Sequence, residues 1–303
     1  MARCLVTGGA GFIGSHIAEA LLNEDHEVVI LDNLSNGKLE NICNQKIIRG
    51  TITNTYDVEK TIKDVEFIFH EAALISVTES MKDPKQTLLV NVDGSKNLIE
   101  AAVKHGVEKI ILASSAAVYG ASPPPLSENA KTEPLSPYGE SKLIMEKTAS
   151  QYAEQYGMRF SALRYFNVYG PRQNIHSQYS GVISNFINSL MNEKQPVVHG
   201  DGKQTRDFIY VKDVAAANLL SMKTKNDDGQ CINIATGKPI SILELLETIS
   251  KIMKKDIKPK IQEPREGDIK YSFADVSKAK QLLNFEAHYS LEKGLKETIE
   301  SWH

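Results

Sequence analysis

The chain has 303 residues, 41% hydrophobic and 24% charged, with a formal net charge of −3. That is the composition of an ordinary soluble globular protein, with room for one large domain or two smaller ones. It excludes the global basic field of a non-specific nucleic-acid binder, so no nucleic-acid partner is expected.

No run approaches the roughly 18 apolar residues of a membrane span, and the opening MARCLVTGG enters structure without an apolar leader. Cys4, Cys43 and Cys231 stand far apart without paired spacing. Neither a disulfide framework nor a metal site is expected, and a reducing cytoplasm is the simplest compartment.

Taken in chain order, short apolar runs at 4–8, 27–33, 46–50, 67–73, 109–115 and 160–167 alternate with amphipathic stretches at 15–24, 88–104 and 138–156. Nearly continuous apolar strands separated by helices predict an α/β, doubly wound (Rossmann) parallel sheet covered on both faces. After residue 167 the spacing predicts a helix at 181–193, a strand at 196–199, a strand and helix at 207–223, the strand CINIATG, and helices near 241–254, 276–284 and 291–301. The expected division is a nucleotide-binding domain over 1–167 and a smaller α+β substrate domain over 168–303. Residues 206–224 are expected to pack back on the first.

TGGAGFIGS (7–15) joins the first strand to the first helix. Gly8, Gly11 and Gly14, with Phe12 and Ile13 between the last two, allow a tight turn and close approach of backbone to a pyrophosphate at a helix N-terminus. Asp32 closes the second strand, followed by Asn33. An acid there accepts hydrogen bonds from both adenosine ribose hydroxyls and repels a 2′-phosphate, which predicts NAD rather than NADP. Asp32 as a plain turn residue is the competing reading.

The fifth strand ends in ASSAAVYG (113–120), which puts Ser114 and Ser115 at the carboxyl edge of the sheet, where ligands of open α/β sheets bind. Alone, they would read as turn residues. The Pro-rich loop 122–137 leads to SPYGESK, with Ser136 as N-cap, Pro137 as first helical residue and Tyr138 one turn before Lys142. Tyr56–Lys60 and Tyr289–Lys293 share that spacing, so spacing alone is compatible with a solvated helix face. Context separates them. A phenol has a pKa near ~10, and an ammonium about 4 Å away at an effective dielectric of ~20 offers up to ~4 kcal/mol toward ionising it.

Together the glycine loop, Asp32, Ser115, Tyr138 and Lys142 resemble the extended short-chain dehydrogenase/reductase family. Within it the chain looks most like UDP-hexose 4-epimerases of the UDP-glucose/UDP-N-acetylglucosamine type. The matching stretches include HEAAL (70–74), NVDG (91–94), LRYFNVYGPRQ (163–173), TRDFIYVKDV (205–214) and REGD (265–268). The resemblance implies that Ser115 bonds the sugar O4, Tyr138 is the base, and Lys142 also holds the nicotinamide ribose. It further implies that Thr51, Ile52, Ala72, Ala73, Asn91 and Tyr165 border the cofactor. Ser76, Asn167, Arg206, Arg265, Asp268 and Ser272 would border the UDP-sugar, with the arginines facing diphosphate; read without the family, Arg206 and Arg265 are surface ion-pair partners.

Two departures stand out. Thr51 occupies a position where the family usually has an acid facing adenine, which predicts altered cofactor affinity. Ser272 stands where a bulky aromatic would crowd a C2 acetamido group, which predicts that UDP-GlcNAc and UDP-GalNAc are accepted beside UDP-Glc and UDP-Gal.

A sugar-nucleotide 4,6-dehydratase needs an acid/base pair where this chain has Ala116 and Ala117. Uronate 4-epimerases and decarboxylases remain the rival enzymes, and a non-enzymatic NAD sensor is the rival of another class. The resemblance also implies a homodimer through helices at 93–105 and 138–156.

Overall fold

A computed structural model describes residues 1–43, 45–174, 181–264 and 269–302. Its centre is a seven-stranded sheet made of β1 (Arg3–Thr7), β2 (Glu27–Asp32), β3 (Lys46–Arg49), β4 (Phe67–His70), β5 (Lys109–Ser115), β6 (Arg159–Tyr165) and the strand Gln230–Ile234. Across the sheet the order is Gln230–Ile234, β6, β5, β4, β1, β2, β3, with every pairing parallel. This is the doubly wound sheet that the alternation of strands and helices predicts. The winding reverses between β1 and β4, which opens a crevice at their carboxyl ends.

Alternation along each strand fills both faces. Val6 and Ile30 pack with Ile17 and Leu21 of α1 (Phe12–Asn23) and with Ala215 and Leu219 of the Val211–Lys223 helix. On the opposite face, Leu5, Ile68 and Ile110 pack with Leu98 and Ala102 of the Gly94–His105 helix and Met145 and Ala149 of the Pro137–Tyr156 helix. Full burial of each such leucine or isoleucine is worth about 1.5–3 kcal/mol, so the sheet is a rigid platform for its edge. A second core gathers Phe186, Leu190, Leu245, Ile249 and Leu295 from the helices Val182–Met191, Ile242–Met253 and Leu291–Glu300.

Two details depart from the sequence-based expectation. The CINIATG strand, read with the smaller α+β region, extends the main sheet beside β6, pairing Ile232 with Leu163 and Ile234 with Tyr165. Both isoleucines are fully buried, and an apolar run covered on both faces belongs inside such a sheet. The predicted continuous helix at 88–104 is interrupted: Pro84–Leu88 leads into a widened π turn, Leu89–Asp93, before Gly94–His105 begins. Such bulges commonly mark functional sites, and this one carries Asn91.

Candidate active site

The glycine loop lies at the mouth of the crevice. Gly8 has a left-handed backbone (φ +69), and a Cβ there would stand 2.8 Å from the Ala72 nitrogen. At Gly14 a Cβ would come within 2.4 Å of the Gly8 carbonyl oxygen, so α1 can sit on the loop only without a side chain. Gly11 is the N-cap of α1, and no described side chain caps it. A Cβ on Gly11 would meet, among the described residues, only the Gly8 oxygen at 3.1 Å. The helix N-terminus is thus bare backbone with room in front of it, the form of a pyrophosphate cradle. Phe12 and Ile13 are half-buried in the first turn.

At the end of β2, buried Asp32 accepts hydrogen bonds from the Ala10 amide (3.0 Å) and the Leu34 amide (2.7 Å), one on each oxygen. Each oxygen retains a lone pair for a ribose hydroxyl. Asn33 is exposed and caps its own turn through the Ser35 amide. Past β3, the Thr51 amide donates to Asp57 (2.9 Å) and its hydroxyl meets Thr53 (3.0 Å), while the Ile52 carbonyl is held by Asn97. The donors, the bare helix start and the carboxylate fit a dinucleotide.

Beyond β4 the chain runs through Glu71, Ala72 and Ala73 along the glycine loop, with the Ala72 amide pointing at the Thr7 hydroxyl (3.3 Å). Buried His70 lies between Thr7 (2.7 Å) and Ser95 (2.8 Å). Burial and the Lys142 charge lower its pKa to about 3, so it is a neutral strut. Asn91 braces the segment, its carboxamide bonding both the amide and carbonyl of Leu74 (2.8 and 2.9 Å) and donating to Ser141 (3.0 Å).

The Pro137–Tyr156 helix starts where Ser136 accepts from the Gly139 amide, with Pro137 at its first position. This brings half-buried Tyr138 beside Ser115, whose hydroxyl accepts from the Ala117 amide (3.2 Å). Lys142, buried one turn on, donates to the Ala113 carbonyl (2.6 Å). Burial lowers Lys142 to about 8, against the pull of Glu71 and Glu146. The Tyr138 phenol is itself raised: burial raises it most, Ser115 lowers it, and Glu71 raises it again. Burial and Glu71 thus act on Tyr138 in the direction opposite to that expected of a lysine one turn away.

Tyr165 ends β6 with its hydroxyl donating to Glu71 (2.8 Å) and accepting from Asn218 (2.8 Å). Behind Ser115 lies a buried ion pair: Arg164 donates twice to Glu146 (2.9 and 2.7 Å), and Ser114 donates to the same carboxylate.

On the far side, Ser76 caps the Val77–Lys82 helix by accepting from the Glu79 amide (3.1 Å). Exposed Asn167 donates to the Asp207 carbonyl (2.9 Å). Arg206 lies in register with Ser272 where Thr205–Arg206 pairs with Tyr271–Ser272. Arg265 and Asp268 lie outside the described residues.

Sequence reasoning passed over Asp207, which is fully buried and accepts from the Thr236 and Gly237 amides and the Thr236 hydroxyl, so it staples the Arg206 strand to the main sheet. A charged residue within the apolar run RDFIYV was its signal. Glu71 and the Arg164–Glu146 pair were passed over as well, and only the folded chain shows what they face.

The sheet, the bare glycine loop and the acid closing β2 define a dinucleotide-binding enzyme of the doubly wound class. The chain belongs to the NAD dependent epimerase/dehydratase family, whose model matches residues 4–235. Its cofactor is accordingly NAD. The structure superposes on the UDP-glucose 4-epimerase of Thermotoga maritima, solved with UDP-glucose, with a TM-score of 0.96 and 37% identity, covering 99% of this chain and 98% of that one. The UDP-N-acetylglucosamine 4-epimerase of Methanobrevibacter ruminantium M1, in complex with UDP-N-acetylmuramic acid, gives 0.95 and 42%, again over 99% and 98%. The UDP-glucuronate 4-epimerase of Thermodesulfobacterium geofontis is 36% identical over 99% of this chain and 95% of its own.

Proposed function

We propose that this enzyme is a UDP-hexose 4-epimerase interconverting UDP-glucose and UDP-galactose, and UDP-GlcNAc and UDP-GalNAc as well. The observation that carries the reading is the placing of Tyr138, with Lys142 buried one turn on, at the start of the helix that faces Ser115 at the carboxyl edge of the sheet. Tyr138 takes the sugar's 4-hydroxyl proton, directly or through Ser115, and later returns it. NAD, when bound, supplies a reversible hydride acceptor for C4. Gly8, Gly11, Phe12, Ile13, Gly14, Asp32, Asn33, Thr51, Ile52, Ala72, Ala73, Asn91, Lys142 and Tyr165 form its binding side. Arg206 and Arg265 grip the UDP diphosphate, with Ser76, Asn167, Asp268 and Ser272 around the sugar nucleotide. Gripping the nucleotide leaves the hexose free to present either face of C4, so remote binding energy serves the chemistry.

The small Ser272 side chain beside Arg206 favours acceptance of acetamido sugars. The same fold serves a uronate epimerase among its relatives, which makes UDP-glucuronate the second substrate to test. Proton NMR of the anomeric signals in D₂O decides between them, with UDP-Glc, UDP-GlcNAc and UDP-glucuronate offered separately. Galacto product without deuterium at carbon is expected from the first two. A keto product with deuterium at C5 would instead mean elimination and refute the reading. A homodimer through the Gly94–His105 and Pro137–Tyr156 helices belongs to the same proposal, and light scattering measures it.

A further inference from the structure

Asn233 lies on the Gln230–Ile234 strand in register with Arg164 of β6, and it is fully buried. A buried carboxamide must find partners for two N–H donors and an oxygen, and this one finds them on three separate segments. Its oxygen accepts from the Tyr119 hydroxyl at 2.6 Å, while its nitrogen donates to the Leu126 carbonyl at 2.8 Å and the Asp275 carbonyl at 3.2 Å. That orientation is forced. The two carbonyls can only accept, and the Tyr119 oxygen already receives a hydrogen bond from Arg164 at 3.0 Å, which leaves its proton for Asn233. The Asn233 backbone amide adds a fourth contact, to Glu128 at 2.8 Å.

The three segments border the reacting end of the crevice. Tyr119 closes the Ala116–Tyr119 turn, which begins directly after Ser115. Leu126 belongs to the Pro-rich loop that leads to Ser136 and Tyr138. Asp275 follows three residues after Ser272, whose strand stands in register with Arg206. Leu126 and Ala274 meet in a single parallel bridge, the Leu126 amide donating to the Phe273 carbonyl and the Asp275 amide to the Leu126 carbonyl, both at 2.9 Å. One such bridge between irregular segments is weak by itself. Asn233 pins both of its sides to the main sheet. The same network runs the other way into the catalytic helix, since Arg164 also donates to Glu146, one turn beyond Lys142.

We propose that Asn233 is a positioning residue for the sugar: by clamping the Leu126–Ala274 bridge it fixes the segment carrying Ser272 relative to the strand carrying Ser115. This rests on the reading of Ser115 and Ser272 as sugar-facing. Asn233 touches no substrate; it sets the space in which the hexose presents either face of C4. Asp207 holds the other end of the segment, its amide donating to the Ser272 carbonyl at 3.1 Å, and ties Arg206 to the Thr236 turn without Asn233. Loss of Asn233 therefore frees the segment at one end only. The grip on UDP is kept and the fit to the hexose is lost.

Three variants of the NAD-loaded enzyme separate this role from general stability. Asn233→Leu keeps the bulk and removes all three side-chain hydrogen bonds. Asn233→Asp keeps the shape and the acceptor for Tyr119 and, as a carboxylate, removes only the two donations to carbonyls. Tyr119→Phe removes the remaining arm and leaves both carbonyls held. Hydrogen exchange at Leu126 and Asp275 should quicken by about tenfold in the two Asn233 variants and stay near wild type in Tyr119→Phe, with β1 unchanged throughout. Titration calorimetry should show the Kd for UDP-glucose raised about tenfold in both Asn233 variants, the loss of roughly one hydrogen bond, with the Kd for UDP within about twofold of wild type. Equal weakening of UDP and UDP-glucose would make Asn233 a residue of general stability and overturn the proposal, as would unaltered exchange at Leu126 and Asp275. A wild-type enzyme that binds UDP-glucose without epimerising it would defeat the proposed function, while the split between the two affinities would still decide the role of Asn233.

Discussion

Glu146→Ala tests whether the layer behind the catalytic residues is held by charge. Arg164 and Glu146 are each 5% exposed in their side chains. They meet through two charge-assisted hydrogen bonds of 2.9 and 2.7 Å, and Ser114 adds a third to the same carboxylate. Removing the acid leaves a buried guanidinium whose remaining described partners are the Tyr119 hydroxyl (3.0 Å) and the Glu128 carbonyl (3.4 Å). Breaking a buried pair from one side costs about 3–5 kcal/mol, most of it the uncompensated charge. At about 2 °C per kcal/mol for a chain of this size, Tm should drop by roughly 6–10 °C. Arg164→Met in the Glu146→Ala background removes the stranded charge and should recover most of that loss. Scanning calorimetry on the four proteins of the cycle gives the coupling energy. A single-mutant loss below about 1 kcal/mol, or a double mutant worse than the single, would refute the reasoning.

Gly14→Ala puts a Cβ 2.4 Å from a backbone oxygen that cannot yield, so α1 must lift off the loop. NAD retained through purification should fall by about tenfold or more, assayed by cofactor release on denaturation, with a stability loss of about 1–3 kcal/mol. Glu71→Gln should alter the pH dependence of stability. An acid raised from 4.5 to about 7 on folding contributes stability that is full below 4.5 and is lost as pH rises through 7. The variant lacks that loss, so its stability relative to wild type, followed by denaturant unfolding at each pH, should be more favourable at pH 8 than at pH 5 by up to about 3 kcal/mol. Ser272→Tyr should abolish turnover of UDP-GlcNAc while sparing UDP-Glc, read as separate kcat/KM values; parallel losses would remove Ser272 from the sugar pocket.

Much of this was legible in the sequence because its causes are local. Short, nearly continuous apolar runs between amphipathic stretches dictate a parallel sheet, and the glycines of TGGAGFIGS together with the position of Asp32 dictate where a dinucleotide meets it. The SPYGESK cap is equally local, since Ser136 and Pro137 start the helix that carries Tyr138 and Lys142 with no help from distant residues. What stands opposite those side chains was decided only by the tertiary structure. Glu71 reaches Tyr165 across 94 residues, and Asn218 reaches Tyr165 across 53. The Gln230–Ile234 strand joins the sheet by pairing with β6, and Asp207 ties the segment just after Thr205–Arg206 to the turn that follows Gln230–Ile234. The physical reason is range. Propensities, caps and turns act over a few residues and leave a pattern in the chain. Burial and Coulomb interaction act between groups that only folding brings together, and they decide whether Tyr138 is a phenol or a base.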